Sequence, residues 1–264
     1  MSFSATPAAP HGAPSRRAVS GARWLRLAAE FARAAWLMLW LFPRLHRDAR
    51  LNEIRRWAQR VLLILEVEVQ CDGCAPPQFC GLLVANHVSW LDILVIQSVL
   101  PGVFVAKAEV RRWPLIGALA QACATIFVQR SSSRSARAMV DACVAAFEQG
   151  YCVVGFPEGT SGDGADVGVF HSNIFESAIK GKTQVQPLVL RYVDAQTGLP
   201  TQAPVFIGDT TLASTVKRVM ATPSIQAKLH FGMCISAHGH SRKTLAAQAH
   251  QSMRKQLLGA TVSV

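Results

Sequence analysis

Tyrosine is almost missing from this chain of 264 residues, which holds two, and acidic side chains are scarce, 16 against 27 lysines and arginines. With so few tyrosines and no alternation of bases with aromatics, the RNA-binding signatures are absent, as is any zinc-finger spacing. No nucleic acid partner is expected. Seven cysteines is an odd number, and Cys71-x-x-Cys74 lacks a second pair at metal-binding distance, with Cys80 wrongly spaced for a tetrahedral site. Cys123, Cys143, Cys152 and Cys234 lie in apolar runs, where free thiols act as small hydrophobes. The expectation is reduced cysteines on the cytosolic side and no metal. No Gly-x-Ser-x-Gly elbow occurs, which weakens a serine hydrolase reading. There is no internal repeat.

What the chain does have is ample apolar material together with a strong positive charge. Half its residues are apolar, yet the formal charge is +11. Residues 1–66 hold eleven arginines, no lysine and four acids, so seven of those eleven charges sit in the first quarter. Basic charge beside apolar helices points to an anionic membrane surface.

Residues 1–22, rich in Ala, Pro, Ser and Gly, read as a disordered tail without a signal-peptide cleavage site. Residues 23–66 read as a pair of membrane-associated helices. In the first, the uncharged run that ends at Pro43 is ten residues, half of the ~20 needed to span a bilayer. An interfacial or re-entrant helix is expected, anchored by Trp36 and Trp40. The second, over 52–65, carries Ile54, Trp57, Val61 and Leu65 as a stripe; an ordinary helix covering a core is the competing reading.

From Val67 to the end, short apolar runs alternate with helical stretches, the pattern of an α/β domain with a mixed sheet flanked by helices. Strands are expected over 67–69, 82–85, 103–106, 125–128, 152–156, 185–190, 205–207 and 228–235. Helices are expected over 90–99, 115–122, 135–149, 170–179, 212–221 and 242–258. The Gly- and Asp-rich loop 159–168 reads as mobile.

One stretch organises the rest. The run Leu82-Leu83-Val84-Ala85 ends in Asn86-His87, and Asp92 opens the next apolar run. A carboxylate beside an imidazole can hold it as a general base. Within one helix, five residues would set the two side chains about 140° apart. They meet only if His87 lies in the turn before the helix and Asp92 in its first turn. Ser89-x-x-Asp92 also resembles a capping box, which would explain the aspartate without any chemistry. The surrounding pattern favours a site. His87, Lys107, Arg130 and Glu158 follow four successive expected strands, and ligands of open α/β sheets bind beyond the carboxyl ends of strands.

These residues carry a resemblance. Asn86-His87-Val88-Ser89-Trp90-Leu91-Asp92 is similar to the His-x4-Asp block of the lysophospholipid and glycerolipid acyltransferases. Lys107-Ala108-Glu109-Val110 through Gln129-Arg130 resembles their second block, Phe156-Pro157-Glu158-Gly159-Thr160 their third and Val185-Gln186-Pro187-Leu188 their fourth. The resemblance implies a glycerolipid-acyltransferase fold and transfer of a fatty acyl chain from acyl carrier protein or coenzyme A, with no resident cofactor. His87 would be the base, Asp92 its orienting partner, Lys107 and Arg130 the head-group cations, and Glu158, Gly159 and Thr160 the walls of the acceptor site. The default acceptor is 1-acylglycerol-3-phosphate, giving phosphatidic acid at the cytoplasmic face of the cell membrane. Two alternatives stand beside it: acylation of lyso-ornithine lipid, and a catalytically idle lipid- or acyl-carrier-binding protein. Two departures weaken the default. Ser161-Gly162-Asp163-Gly164 stands where a basic residue is common, and Ser172-Asn173 stands where a basic residue and glycine are commoner.

Overall fold

The structure, a computed structural model, describes residues 18–73, 79–129 and 132–259. Two helices lead, α1 (Gly21–Trp40) and α2 (Arg47–Leu65). Then come β1 (Val67–Asp72), β2 (Gly81–Ala85), α3 (Leu91–Val99), β3 (Val103–Lys107), α4 (Ile116–Ala122), β4 (Ile126–Val128), α5 (Ser133–Glu148) and β5 (Cys152–Gly155). The chain closes with α6 (Phe175–Lys180), β6 (Gln184–Asp194), α7 (Leu212–Ala221), β7 (Ile225–Phe231), β8 (Ile235–Ser236) and α8 (Arg242–Gly259).

The strands form one mixed sheet of eight, ordered β1-β7-β6-β2-β5-β3-β4, with β8 pairing the start of β6. β6 runs antiparallel to β7 and β8, and the other pairings are parallel. β2 lies in the middle and shows why the alternation of a half-exposed strand is missing from its sequence. Leu83 and Ala85 join the core under α2, α3 and α7, whereas Leu82 and Val84 join the core under α5, α6 and α8. A strand covered on both faces reads as a continuous apolar run. Because β2, β3, β4 and β5 are parallel neighbours, their carboxyl ends share one edge of the sheet.

The helical pair is real, and α2 belongs to the body of the fold. Its Ala58, Val61, Leu62 and Leu65 are at most 2 % exposed and sit in the larger core. Each larger side chain buried to that degree contributes about 1.5–3 kcal/mol. Phe31 of α1 meets Trp57 of α2 edge-on, with centroids 5.6 Å apart. Arg23 of α1 donates to the carbonyl of Ile64 at 3.0 Å and to that of Met220 at 2.8 Å, capping α2 and α7 together. α1 starts at Gly21, two residues inside the stretch read as tail; residues 1–17 lie outside the described residues. Among the described residues no helix is long and apolar enough to cross a membrane.

Several sequence expectations need correction. Residues 205–207 form no strand: Val205 is buried, and Phe206 uses its N–H on the carbonyl of Val88. The run 228–235 breaks at Gly232 into β7 and β8, which pair different parts of β6. The stretch 170–179 begins with a tight 3-10 turn at Ser172–Ile174 and becomes α-helical only from Phe175.

Candidate active site

β2 ends at Ala85, but its pairing with β6 goes one step further through a side chain. Asn86 Nδ2 donates to the Leu190 carbonyl at 2.9 Å, and Asn86 Oδ1 accepts from Leu190 N at 2.8 Å. The amide thus takes the place of a backbone rung and frees the main chain to turn. His87 lies in that turn and Asp92 in the first turn of α3, as the spacing required. His87 Nδ1 is 2.8 Å from Asp92 Oδ2.

Asp92 is fully buried, and donors surround it. Oδ2 also accepts from Val88 N at 2.7 Å and Ser89 N at 2.9 Å, while Oδ1 accepts from the Tyr192 hydroxyl at 2.8 Å. One carboxylate therefore serves both arrangements: it accepts from Ser89 N at the helix start and holds the histidine ring. A carboxylate that already accepts from two backbone N–H groups takes Nδ1–H of His87 as a further donor. That leaves Nε2 with a free lone pair, the tautomer a general base requires. The ring stacks on Phe156, centroids 4.1 Å apart and planes 17° apart, and keeps 22 % of its side chain exposed. It is held and still reachable.

The remaining expected residues fall as follows. Lys107 ends β3, exposed, and lines a cavity of about 350 Å³ together with Gln129, Phe156, Pro157, Gly159 and His171. His87 is not a wall of that cavity; the two meet through Phe156. Glu158 follows β5, but it faces inward as a clamp. Its Oε1 accepts from His87 N at 2.7 Å and its Oε2 from Gly168 N at 2.8 Å. Burial raises its pKa above the usual carboxylate range, and the two N–H donors oppose the rise. Gly159 adopts φ +72°, which favours glycine, and its N–H closes a turn on the Phe156 carbonyl at 3.0 Å. Thr160 is exposed beside it. Arg130 lies outside the described residues.

The loop 159–168 is pinned, against the expectation of mobility. Gly162 N donates to the His87 carbonyl at 2.8 Å, and Ser161 donates its hydroxyl proton to the Phe206 carbonyl. Val167 is buried, and Arg254 of α8 grips Asp166 at 2.9 Å. Three separate parts of the chain meet at this loop.

The Acyltransferase family profile matches residues 67–191. A lyso-ornithine lipid O-acyltransferase of Pseudomonas aeruginosa is 36 % identical over 205 residues, 78 % of each chain. The chain belongs to the glycerolipid and lysophospholipid acyltransferases. A 1-acyl-sn-glycerol-3-phosphate acyltransferase of Neisseria meningitidis is 30 % identical over 210 residues, 78 % of this chain and 81 % of that one. The fold matches the crystal structure of the 1-acyl-sn-glycerophosphate (LPA) acyltransferase PlsC from Thermotoga maritima. The TM-score there is 0.64 at 21 % identity, over 92 % of this chain and 99 % of the other.

The acyltransferase holds residues at its site that sequence reasoning overlooked. Tyr192, one of two tyrosines, lies near the end of β6, two residues beyond the strand expected over 185–190. His171 lines the cavity but follows a phenylalanine in an unremarkable loop. Asn86 was visible only as part of a motif. The Glu158 clamp yields a first prediction. In Glu158→Gln one acceptor becomes an NH₂ donor facing a backbone N–H, so one of the two contacts is lost. A fall of about tenfold in kcat/KM is expected, since hydrogen bonds to a charged group are worth about 1.5–3 kcal/mol. Faster hydrogen exchange at residues 159–168 should accompany it. Unchanged exchange would mean that the loop does not depend on Glu158.

Proposed function

We propose that this acyltransferase moves a fatty acyl chain from an acyl thioester to the free hydroxyl of lyso-ornithine lipid, on a membrane surface. The observation that carries the chemistry is the buried Asp92 carboxylate 2.8 Å from Nδ1 of a reachable His87. His87 Nε2 takes the proton of the acceptor hydroxyl as its oxygen attacks the thioester carbonyl. The tetrahedral intermediate collapses, the C–S bond breaks, and the imidazolium returns the proton to the leaving thiolate. Asp92 stabilises the imidazolium between those steps. A thioester is already activated, so no acyl-enzyme is needed. The donor is acyl carrier protein or coenzyme A thioester, delivered from the cytoplasmic side.

Charge around the acceptor side favours an ornithine head group. The loop 160–168 contains two acids and no base. Its Gly162 N–H is bonded to the His87 main-chain carbonyl, and the next residue, Asp163, is exposed, with Oδ1 accepting from Ala165 N. Asp166 is occupied by Arg254, which leaves Asp163 to meet an ammonium. Lys107 and His171 at the cavity suit a carboxylate. The 36 % identity to a lyso-ornithine lipid enzyme supports the same acceptor. Lysophosphatidic acid is the second reading, favoured by Lys107 and by the Neisseria relative.

A competition between the two acceptors tests this. The wild type is expected to prefer lyso-ornithine lipid, and Asp163→Arg to shift the ratio of kcat/KM toward lysophosphatidic acid by about tenfold, the effect of reversing one partly screened charge. A wild type that acylates lysophosphatidic acid and ignores lyso-ornithine lipid overturns the acceptor.

Membrane attachment is supported by one face of α1. Leu25, Ala29, Ala32, Trp36, Leu39 and Trp40 recur at steps of three and four residues, and all are exposed. The opposite face, with Leu27, Ala34 and Leu37, is buried. An apolar stripe with tryptophans and flanking arginines suits a helix lying in the interface.

A further inference from the structure

We propose that Tyr192 is a positioning residue for catalysis: its hydroxyl fixes the Asp92 carboxylate, and through it the His87 ring, and draws negative charge away from the oxygen that holds the ring. The proposal rests on His87 being the base. Among the described residues Tyr192 is the one donor to Asp92 Oδ1, at 2.8 Å, while the other three donors all reach Oδ2.

Strand register explains how a residue a hundred positions away arrives there. Leu190 of β6 pairs with the Asn86 side chain at the start of the catalytic turn. Tyr192, two residues on and on the same side of the strand, meets Asp92 at the turn's end. β6 thus grips both ends of the segment that carries His87. Burial, and then the negative charge of Asp92, hold the Tyr192 phenol well above its usual range. It is therefore a proton-bearing donor at every pH at which the enzyme works, and takes no part in proton transfer itself.

A donor on Oδ1 draws negative charge away from the face that holds His87. Removing it makes the carboxylate more basic, and the coupled pair then binds its proton more tightly. The acid limb of the rate profile must move up in pH. Glu158, from the turn after β5, is an ionisable group that interacts electrostatically with both His87 and Asp92. It stays in place in every variant below. The simpler view is that Tyr192 is a core side chain whose hydroxyl, like most buried hydroxyls, has found a partner. That view predicts lost stability and an unmoved acid limb.

The experiment follows kcat/KM of the full-length protein in lipid vesicles from pH 5 to pH 9, with whichever acceptor the wild type uses. Tyr192→Phe should lower kcat/KM about tenfold and move the acid limb up by about one pH unit, the scale of one hydrogen bond to a charged group. Placing 3-fluorotyrosine at position 192, a stronger donor of nearly the same size, should move the limb down by roughly a few tenths of a unit. In an Asp92→Asn background Tyr192→Phe should cost nothing further, because the two act as one unit. If Tyr192→Phe fails to fold, the fluorotyrosine protein decides alone. An acid limb that stays put in both variants, or a full loss on top of Asp92→Asn, overturns the proposal. Near-normal turnover in His87→Ala would instead sink the assignment of the base, a separate result.

Discussion

Alanine in place of His87 should give a folded protein that transfers no acyl groups. The main-chain contacts that define the turn survive the substitution. His87 N still donates to Glu158, and its carbonyl still accepts from Gly162. What disappears is the ring that stacks on Phe156, and with it the nitrogen proposed to take the proton. Loss of a general base costs about 10²–10⁴ in rate, and more where the base and its partner act as a unit. Asp92→Asn should approach the same loss with an added structural cost. Its single carbonyl oxygen can serve the three donors on one side only by turning an NH₂ toward the Tyr192 hydroxyl. Thermal melting beside turnover separates the two effects. A His87→Ala protein that melts like wild type and keeps most of its turnover would rule out the mechanism.

The other large effect belongs to membrane binding. Replacing Trp36, Leu39 and Trp40 together by serine should cut association with anionic vesicles about a hundredfold. Large apolar side chains contribute about 1.5–3 kcal/mol each when fully buried, so half of that for three residues is about 2–4.5 kcal/mol, a range that brackets two orders of magnitude. The fold should be untouched, since all three are exposed on the side of α1 away from α2. High salt should weaken wild-type binding only in part, because screening acts on the arginines and not on insertion. Deleting residues 1–66 would not be a clean version of this test: it removes Val61, Leu62 and Leu65 from the core. Co-sedimentation of the triple variant at wild-type levels would move the contact to another surface.

The sheet and the His87–Asp92 pair were legible because both are local. A buried strand, a turn and a helix start follow one another between residues 81 and 99. What escaped notice depends on distant chain. The loop 159–168 looked loose because its composition is that of a turn, and nothing nearby announces that Arg254 and Phe206 hold it. Residues 205–207 looked like a strand because they are apolar, whereas that apolarity serves a crossing beside Val88. Glu158 was read as a wall of the acceptor site, and only the geometry shows it tying two backbone N–H groups together. Tyr192 gave no signal, since an aromatic residue in a strand is ordinary core until its hydroxyl has an address.

The edge of the sheet also sets a timetable. Among the described residues β1 pairs with β7 alone, Val67 opposite Ile225, so the strand made first waits for one made more than 150 residues later. At bacterial or eukaryotic speeds of about 5–20 residues per second, that wait lasts roughly ten to thirty seconds on the ribosome. Throughout it the segment 21–40, with its apolar stripe, has been made, while the sheet that carries the site is incomplete. The proposed attachment through that stripe can therefore precede folding. A chain halted before Phe231 would hold that stripe without the finished sheet.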